Sequence, residues 1–202
     1  MTTLTTAQVR SCGPKTVDIS SVSGYQQAIL YLNGSFSGGK FVVRNISRHY
    51  VDSVAPLFPT ATPYLQAHSE DGRKDYWVIK SVHTKAPSLS DVTDWPGFCR
   101  GYVELQGSLD RSFRRKQNTS YPRLRIYGPA ADLEALMLHL PANPKKIQYV
   151  STNNGQTCAI YYQSKAEIAD ILNYLDGDPK FEPIWSAWSA TMQEGADHGN
   201  QN

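Results

Sequence analysis

The sequence predicts an α+β protein made of two pseudo-symmetric repeats. Three observations carry that prediction. Helical and strand-like segments alternate in the same order in both halves, punctuating Gly, Pro and Ser residues recur at matched places, and the composition is that of a folded domain. The 202 residues are 40% hydrophobic and 19% charged, with a formal net charge of +2. That is enough chain for one sizeable core or two small ones. It is too ordinary a balance for bulk disorder or for a uniformly basic nucleic-acid coat.

The first repeat is assigned to residues 23–83, after an N-terminal extension over 1–22. Tyr25, Ala28, Ile29 and Leu32 recur at helical spacing, with Ser23 as N-cap and Gly34 as C′ residue. Phe41–Ile46 is a β-branched strand run. Tyr50, Val51, Val54, Leu57 and Phe58 make a second helical stripe that Pro59 ends. Tyr64–Ser69 and Tyr76–Val82 read as strands around the turn signal Glu70-Asp71-Gly72-Arg73. A Pro- and Ser-rich linker occupies 84–96.

The second repeat, 97–176, runs in the same order before a C-terminal extension with a polar tail over 177–202. Phe98, Gly101, Tyr102 and Leu105 form a helical face closed by Gly107, and Arg123–Tyr127 is a strand. Leu133, Leu136, Met137 and Leu140 form a helix that Pro141 ends. Lys146–Ser151 and Thr157–Gln163 flank the turn Asn153-Asn154-Gly155, and Ile168, Ile171, Leu172 and Leu175 make a last helix. Phe181, Ile184, Trp185 and Trp188 suit a short helix packed back on the core.

The correspondence extends to residues. Gly24-Tyr25 matches Gly97-Phe98, Leu32 matches Leu105, and Gly34-Ser35-Phe36 matches Gly107-Ser108-Leu109. Pro59 matches Pro141, Gly72 matches Gly155 and Ser81 matches Ser164. The spacing between matched residues lengthens at one place, Asp110–Tyr121, where the second copy carries an insertion. Matched halves that meet about a pseudo-twofold axis bury equivalent faces, as an isologous dimer does. The expected repeat interface is therefore Tyr25, Ala28, Ile29 and Leu32 against Phe98, Gly101, Tyr102 and Leu105, with Ala28 and Gly101 small enough for close approach.

A helix of small and aliphatic residues closing on Gly, occurring twice at matched places, resembles the LAGLIDADG homing endonucleases over about Gly24–Leu175. The resemblance implies αββαββα-type repeats whose antiparallel sheets form a saddle on the DNA major groove, with the motif helices packed at the centre. It also implies a metal-holding acid just before each closing Gly. Those positions hold Asn33 and Gln106, with Glu104 two residues earlier and Tyr31 at the matching place in the first half. Hard divalent ions need anionic oxygen ligands, so no metal and no catalytic residue are expected, and Mg²⁺ enters only under a residual nuclease activity. The assisting base of the family has a counterpart in Lys80, while the second half has Gln163.

The resemblance places Lys40, Arg44, Arg73, Lys74 and Lys80 on one DNA-facing arm and Arg111, Arg114, Arg115, Lys116, Arg123 and Arg125 on the other, the latter interleaved with Phe113 and Tyr121. Arginine forks suit phosphates and guanine edges. The first hairpin, at Ser37-Gly38-Gly39, is short, so the second half is expected to do most of the reading. Double-stranded DNA is the expected partner, bound by a monomer that regulates or occludes a site without cutting it. A protein-interaction module is the alternative, as an inhibitor from a virus or mobile element; residual endonuclease or nickase activity is another.

Other motifs are bland. Cys12, Cys99 and Cys158 have no zinc spacing and read as incidental thiols. His68 and His83 read as structural or surface residues, and Asn118-Thr119-Ser120 gains no meaning without a secretory signal. With neither an apolar leader nor a membrane-length apolar run, a cytoplasmic protein is expected.

Overall fold

The β-branched and aromatic runs pair into two four-stranded antiparallel sheets, ordered β1-β2-β4-β3 and β5-β6-β8-β7. The computed structural model describes residues 22–58, 61–67, 74–81, 87–114, 119–152, 155–176, 181 and 186. The elements are α1 (Gly24–Asn33), β1 (Gly34–Ser37), β2 (Lys40–Asn45), α2 (Arg48–Val54), β3 (Tyr64–Gln66) and β4 (Tyr76–Ser81). There follow α3 (Trp95–Gln106), β5 (Gly107–Arg114), β6 (Thr119–Gly128), α4 (Ala130–Met137), β7 (Gln148–Thr152), β8 (Gly155–Tyr162) and α5 (Lys165–Tyr174). The identical strand order bears out the two-repeat α+β expectation. The chain divides into two compact units, one built on Asn33–Ala86 and the other on Ile19–Leu32 with Pro87–Asn202, so α1 as far as Leu32 groups with the second repeat's elements.

In the first unit β1 and β2 meet in a two-residue turn, where Gly38 and Gly39 have φ of 58° and 72°. Two consecutive positive φ values are what a type I′ hairpin demands and what glycine adopts without a steric cost. α2 lies on β2 and β4, and Phe41, Val43, Ile79, Val51, Val54 and Phe58 are buried. Pro56 turns the end of α2 into a short 3₁₀ stretch over Ala55–Leu57, one turn before Pro59 was expected to stop it.

The second unit has the larger core. Phe98, Tyr102 and Val103 of α3, Leu124 and Ile126 of β6, Leu133 and Leu136 of α4, Ile160 and Tyr162 of β8 and Ile168 and Ile171 of α5 form one cluster, joined by Phe181. Fully burying each such side chain contributes about 1.5–3 kcal/mol before its entropy is charged.

Two strands were not marked by periodicity. β1 and β5 each follow directly on a motif helix, and each pairs with the strand that was expected. Gly34 and Gly107 are therefore first residues of strands, and not left-handed C′ residues. Gly107 has φ −90° and ψ 156°. Glycine is needed there for space, since a Cβ would fall 2.3 Å from the Val103 carbonyl oxygen. The insertion at Asp110–Tyr121 becomes strand: β5 and β6 have 8 and 10 residues against 4 and 6 for β1 and β2. The helices and remaining strands lie where the sequence put them, with ends shifted by a few residues; β3 is shorter than expected. Cys12, His68, His83, Ile184, Trp185 and Trp188 lie outside the described residues.

Candidate nucleic-acid interface

The motif helices begin on a shared cap. Asp94 precedes α3 and accepts from Gly97 N at 3.0 Å, and its other oxygen accepts from Gly24 N at 2.8 Å, at the start of α1. Ser23 and Gln26 add a reciprocal cap on α1, each accepting from the other's backbone N–H at 3.3 Å. Such close entry leaves no room for side chains. A Cβ on Gly24 would sit 1.9 Å from Asp94 O, and one on Gly97 would sit 2.3 Å from Asp94 Oδ2.

Further along, a Cβ on Gly101 would fall 2.8 Å from Ala28 Cβ and 2.9 Å from Tyr25 O, so α1 and α3 are in backbone contact at these small residues. Tyr31 packs edge-on against Phe98 with ring centroids 5.9 Å apart. Ile29 and Tyr102 are fully buried, and Leu32 is half-buried against the core cluster. Leu105 is half-buried on α3.

A buried carboxylate ties the same helices to α4. Asp132 accepts from Tyr31 Oη at 2.9 Å and from Tyr102 Oη at 3.2 Å. Burial, then the Asp132 hydrogen bond, pushes the Tyr31 phenol up to about 12. Burial, and then the Asp132 charge, raises that of Tyr102 as well. Sequence reasoning missed both Asp94 and Asp132.

The helices end on the two amides. Asn33 is half-buried, and its Oδ1 accepts from Asn45 Nδ2 at 3.3 Å. Asn45 in turn accepts from Ser47 N at 2.8 Å, so the Asn33 amide sits in a local polar chain. Gln106 and Glu104 are half-buried on the last turn of α3. A carbonyl oxygen that already accepts from an amide, and a second neutral amide, supply no anionic oxygen for a hard divalent ion. No group of three or more His, Cys, Asp or Glu able to hold a metal occurs among the described residues.

Alternation along the strands sorts the cations. In the first sheet Lys40, Val42 and Arg44 share a face with Val78 and Lys80, opposite the face of Phe41, Val43 and Ile79. Lys40 and Arg44 are exposed, Val42 and Val78 are buried between them, and Lys80 Nζ lies 5.3 Å from the Tyr64 ring centroid. Lys74 is exposed just before β4, and Arg73 lies outside the described residues.

In the second sheet Tyr121, Arg123, Arg125 and Tyr127 of β6 share the face away from Leu124 and Ile126, together with Asp110 of β5 and Tyr161 of β8. Asp110 stands directly opposite Arg123 and accepts from its Nε at 3.0 Å and its Nη2 at 3.2 Å. The same carboxylate pairs with Arg125 Nη2. The Asp110 hydrogen bond raises the Arg123 pKa above its ordinary value. Arg125 also lies over the Tyr127 ring at 5.7 Å, and Ser112 Oγ is 3.0 Å from Tyr121 Oη. By backbone register Arg111 stands opposite Pro122 and Arg114 opposite Thr119. Their side chains, and Arg115 and Lys116 entirely, lie outside the described residues. The signal for Asp110 was present, because an acid opens the basic stretch on which it acts.

No helix among the described residues is long and apolar enough to cross a membrane. No family model and no curated protein matches the sequence. Solved structures do match in fold. A point mutant of I-SmaMI superposes with a TM-score of 0.61 at 12% identity, covering 87% of this chain and 92% of that one. I-SmaMI bound to an uncleaved DNA target in the presence of calcium ions gives 0.58 at 11%, covering 88% and 93%. The I-LtrWI LAGLIDADG homing endonuclease bound to target DNA gives 0.59 at 10%, covering 91% and 93%. Over most of its length this chain has the fold of the LAGLIDADG homing endonucleases.

Proposed function

We propose that this protein binds double-stranded DNA without cleaving it, and acts by occluding or regulating the site it occupies. The observation that carries the reading is the open face of the second sheet, where Arg123 and Arg125 stand among Tyr121, Tyr127 and Tyr161. Arginine supplies planar donors for phosphate and guanine, and tyrosine supplies rigid contact area. Lys40, Arg44 and Lys80 offer a second basic face on the first sheet. The fold is shared with proteins solved on DNA, which supports duplex DNA as the partner. The amides at Asn33 and Gln106 support loss of cleavage, since neither supplies charge to a metal or to the reacting phosphate.

Titration of labelled duplex by fluorescence anisotropy at rising salt tests the reading. The expected result is an affinity that falls log-linearly with salt, by a slope of about −0.9 for each phosphate neutralised. Absent or salt-independent binding overturns it.

A further inference from the structure

The Asp110–Arg123–Arg125 cluster carries an inference that rests on the DNA-binding reading and deepens it. One carboxylate serves two guanidinium groups. Asp110 holds Arg123 through Nε and Nη2 at 3.0 and 3.2 Å, and it also holds Arg125 through Nη2. A pair that only tied β5 to β6 would need one arginine, because a cross-strand ion pair is complete with two partners. The second arginine leaves a net positive charge on a face that solvent still reaches, since the Asp110, Arg123 and Arg125 side chains are 27%, 28% and 27% exposed.

What remains of the fork decides what it can recognise. A guanidinium carries five N–H donors in one plane. Asp110 takes Nε and one hydrogen of Nη2 from Arg123, which leaves the Nη1–Nη2 end of that plane. That end matches the O6 and N7 acceptors of guanine in the major groove. Arg125 is held at one point, Nη2 on Asp110, with its Cζ 5.7 Å from the Tyr127 ring centroid. Side chains locked this way lose little rotamer freedom on binding, and the shared carboxylate offsets one of the two charges that would otherwise draw any phosphate.

We propose that Asp110 is a specificity-determining positioning residue, which holds Arg123 and Arg125 end-on so that they read guanine and withholds them from indiscriminate phosphate contact.

The test uses the full chain on a duplex pool randomised at its centre, with bound sequences read out, and on one unselected duplex titrated against salt. The wild type is expected to enrich guanine at a fixed position by about tenfold or more. Asp110→Asn keeps the shape and removes the charge. It is expected to bring that preference close to parity while steepening the salt slope by about one. Arg123→Lys keeps the charge and gives up the fork, so it is expected to flatten the preference at an unchanged slope. Thermal melting by circular dichroism establishes that each variant folds. If Asp110→Asn does not, Asp110→Glu is read in its place, with a blunted preference expected at the wild-type slope. Guanine enrichment that stays at the wild-type level in the Asp110 variant that is read, or in the Arg123 variant, overturns the proposal and leaves DNA binding standing, as does a wild type that binds duplexes without base preference. A wild type that binds no duplex, capturing only acidic protein, overturns both readings.

Discussion

At the N-terminal ends of α1 and α3 the first backbone N–H groups have no acceptor within their own helix, and Asp94 meets one from each. A cap is ordinarily a local matter worth about 1 kcal/mol. Here the same side chain serves a helix that lies 70 residues away in sequence. Asp94→Ala is therefore expected to cost about 2 kcal/mol, twice a single cap, read as a lower urea midpoint at an unchanged m-value; a loss within that of a single cap would show that one of the two bonds contributes nothing. The phenols make a pH prediction. Tyr31 has its folded pKa raised from 10.0 to about 12, chiefly by burial and then by Asp132. Because the folded value is the higher one, its contribution is complete below the unfolded pKa and is lost as pH rises through the folded pKa. The urea midpoint should begin to fall near pH 9, where the raised Cys99 thiol contributes, and fall further between about 10 and 12, and Tyr31→Phe should make that later fall shallower. An equally steep fall in the variant would assign the loss to other groups, such as Tyr102 and Cys99, which are also raised.

At the scale of elements, α1 and α3 approach so closely that position 101 reverses an ordinary preference. By helix propensity alone, Gly101→Ala would stabilise the exposed interior of a helix by about 1 kcal/mol. In this protein the new methyl would fall 2.8 Å from Ala28 Cβ and 2.9 Å from the Tyr25 carbonyl oxygen, neither of them a flexible chain end. Overpacking of that kind costs about 1–3 kcal/mol, so a net loss of stability is expected, and Ala28→Gly in the same chain should recover part of it. A stabilised Gly101→Ala variant would mean that the helices are free to part. The helix contact was legible because small residues recur at matched places. The strands β1 and β5 were legible only through the resemblance and not from periodicity, because Gly-Ser-Phe-Ser has no apolar alternation and the start of β5 mixes Leu109 with Asp110 and Arg111. What makes them strands is pairing with β2 and β6, and pairing is a property of two segments. The acids were hidden for the same reason: Asp132 meets Tyr31 across 101 residues, and only folding brings the two together.

For the molecule as a whole, charge decides which chemistry is open. The net charge of +2 is small, yet Lys40, Arg44 and Lys80 share one face of the first sheet and Arg123 and Arg125 one face of the second, while Arg111 falls by register on the other face, so a local field exists without a basic chain. Cleavage of a phosphodiester asks for something different, namely anionic oxygen to hold a divalent ion where charge develops. Each motif helix ends instead on a neutral amide, and the Asn33 oxygen is already engaged by Asn45. The wild type is expected to leave supercoiled plasmid intact in Mg²⁺ or Mn²⁺. Nicking that Glu104→Gln abolishes would show that the half-buried acid two residues earlier on α3 has taken over. Restoring an acid at each helix end, as Asn33→Asp with Gln106→Asp, should raise Mn²⁺ affinity by about tenfold or more, or 1.4 kcal/mol. Calorimetric titration would read that gain, whether or not cutting returns. At position 33 the geometry favours the change, because an Asp oxygen would keep the bond from Asn45 Nδ2 and still bring a charge. A double variant with wild-type affinity for Mn²⁺ would show that the amides do not set how well the helix ends hold the ion, and would turn attention to the surroundings of the helix ends.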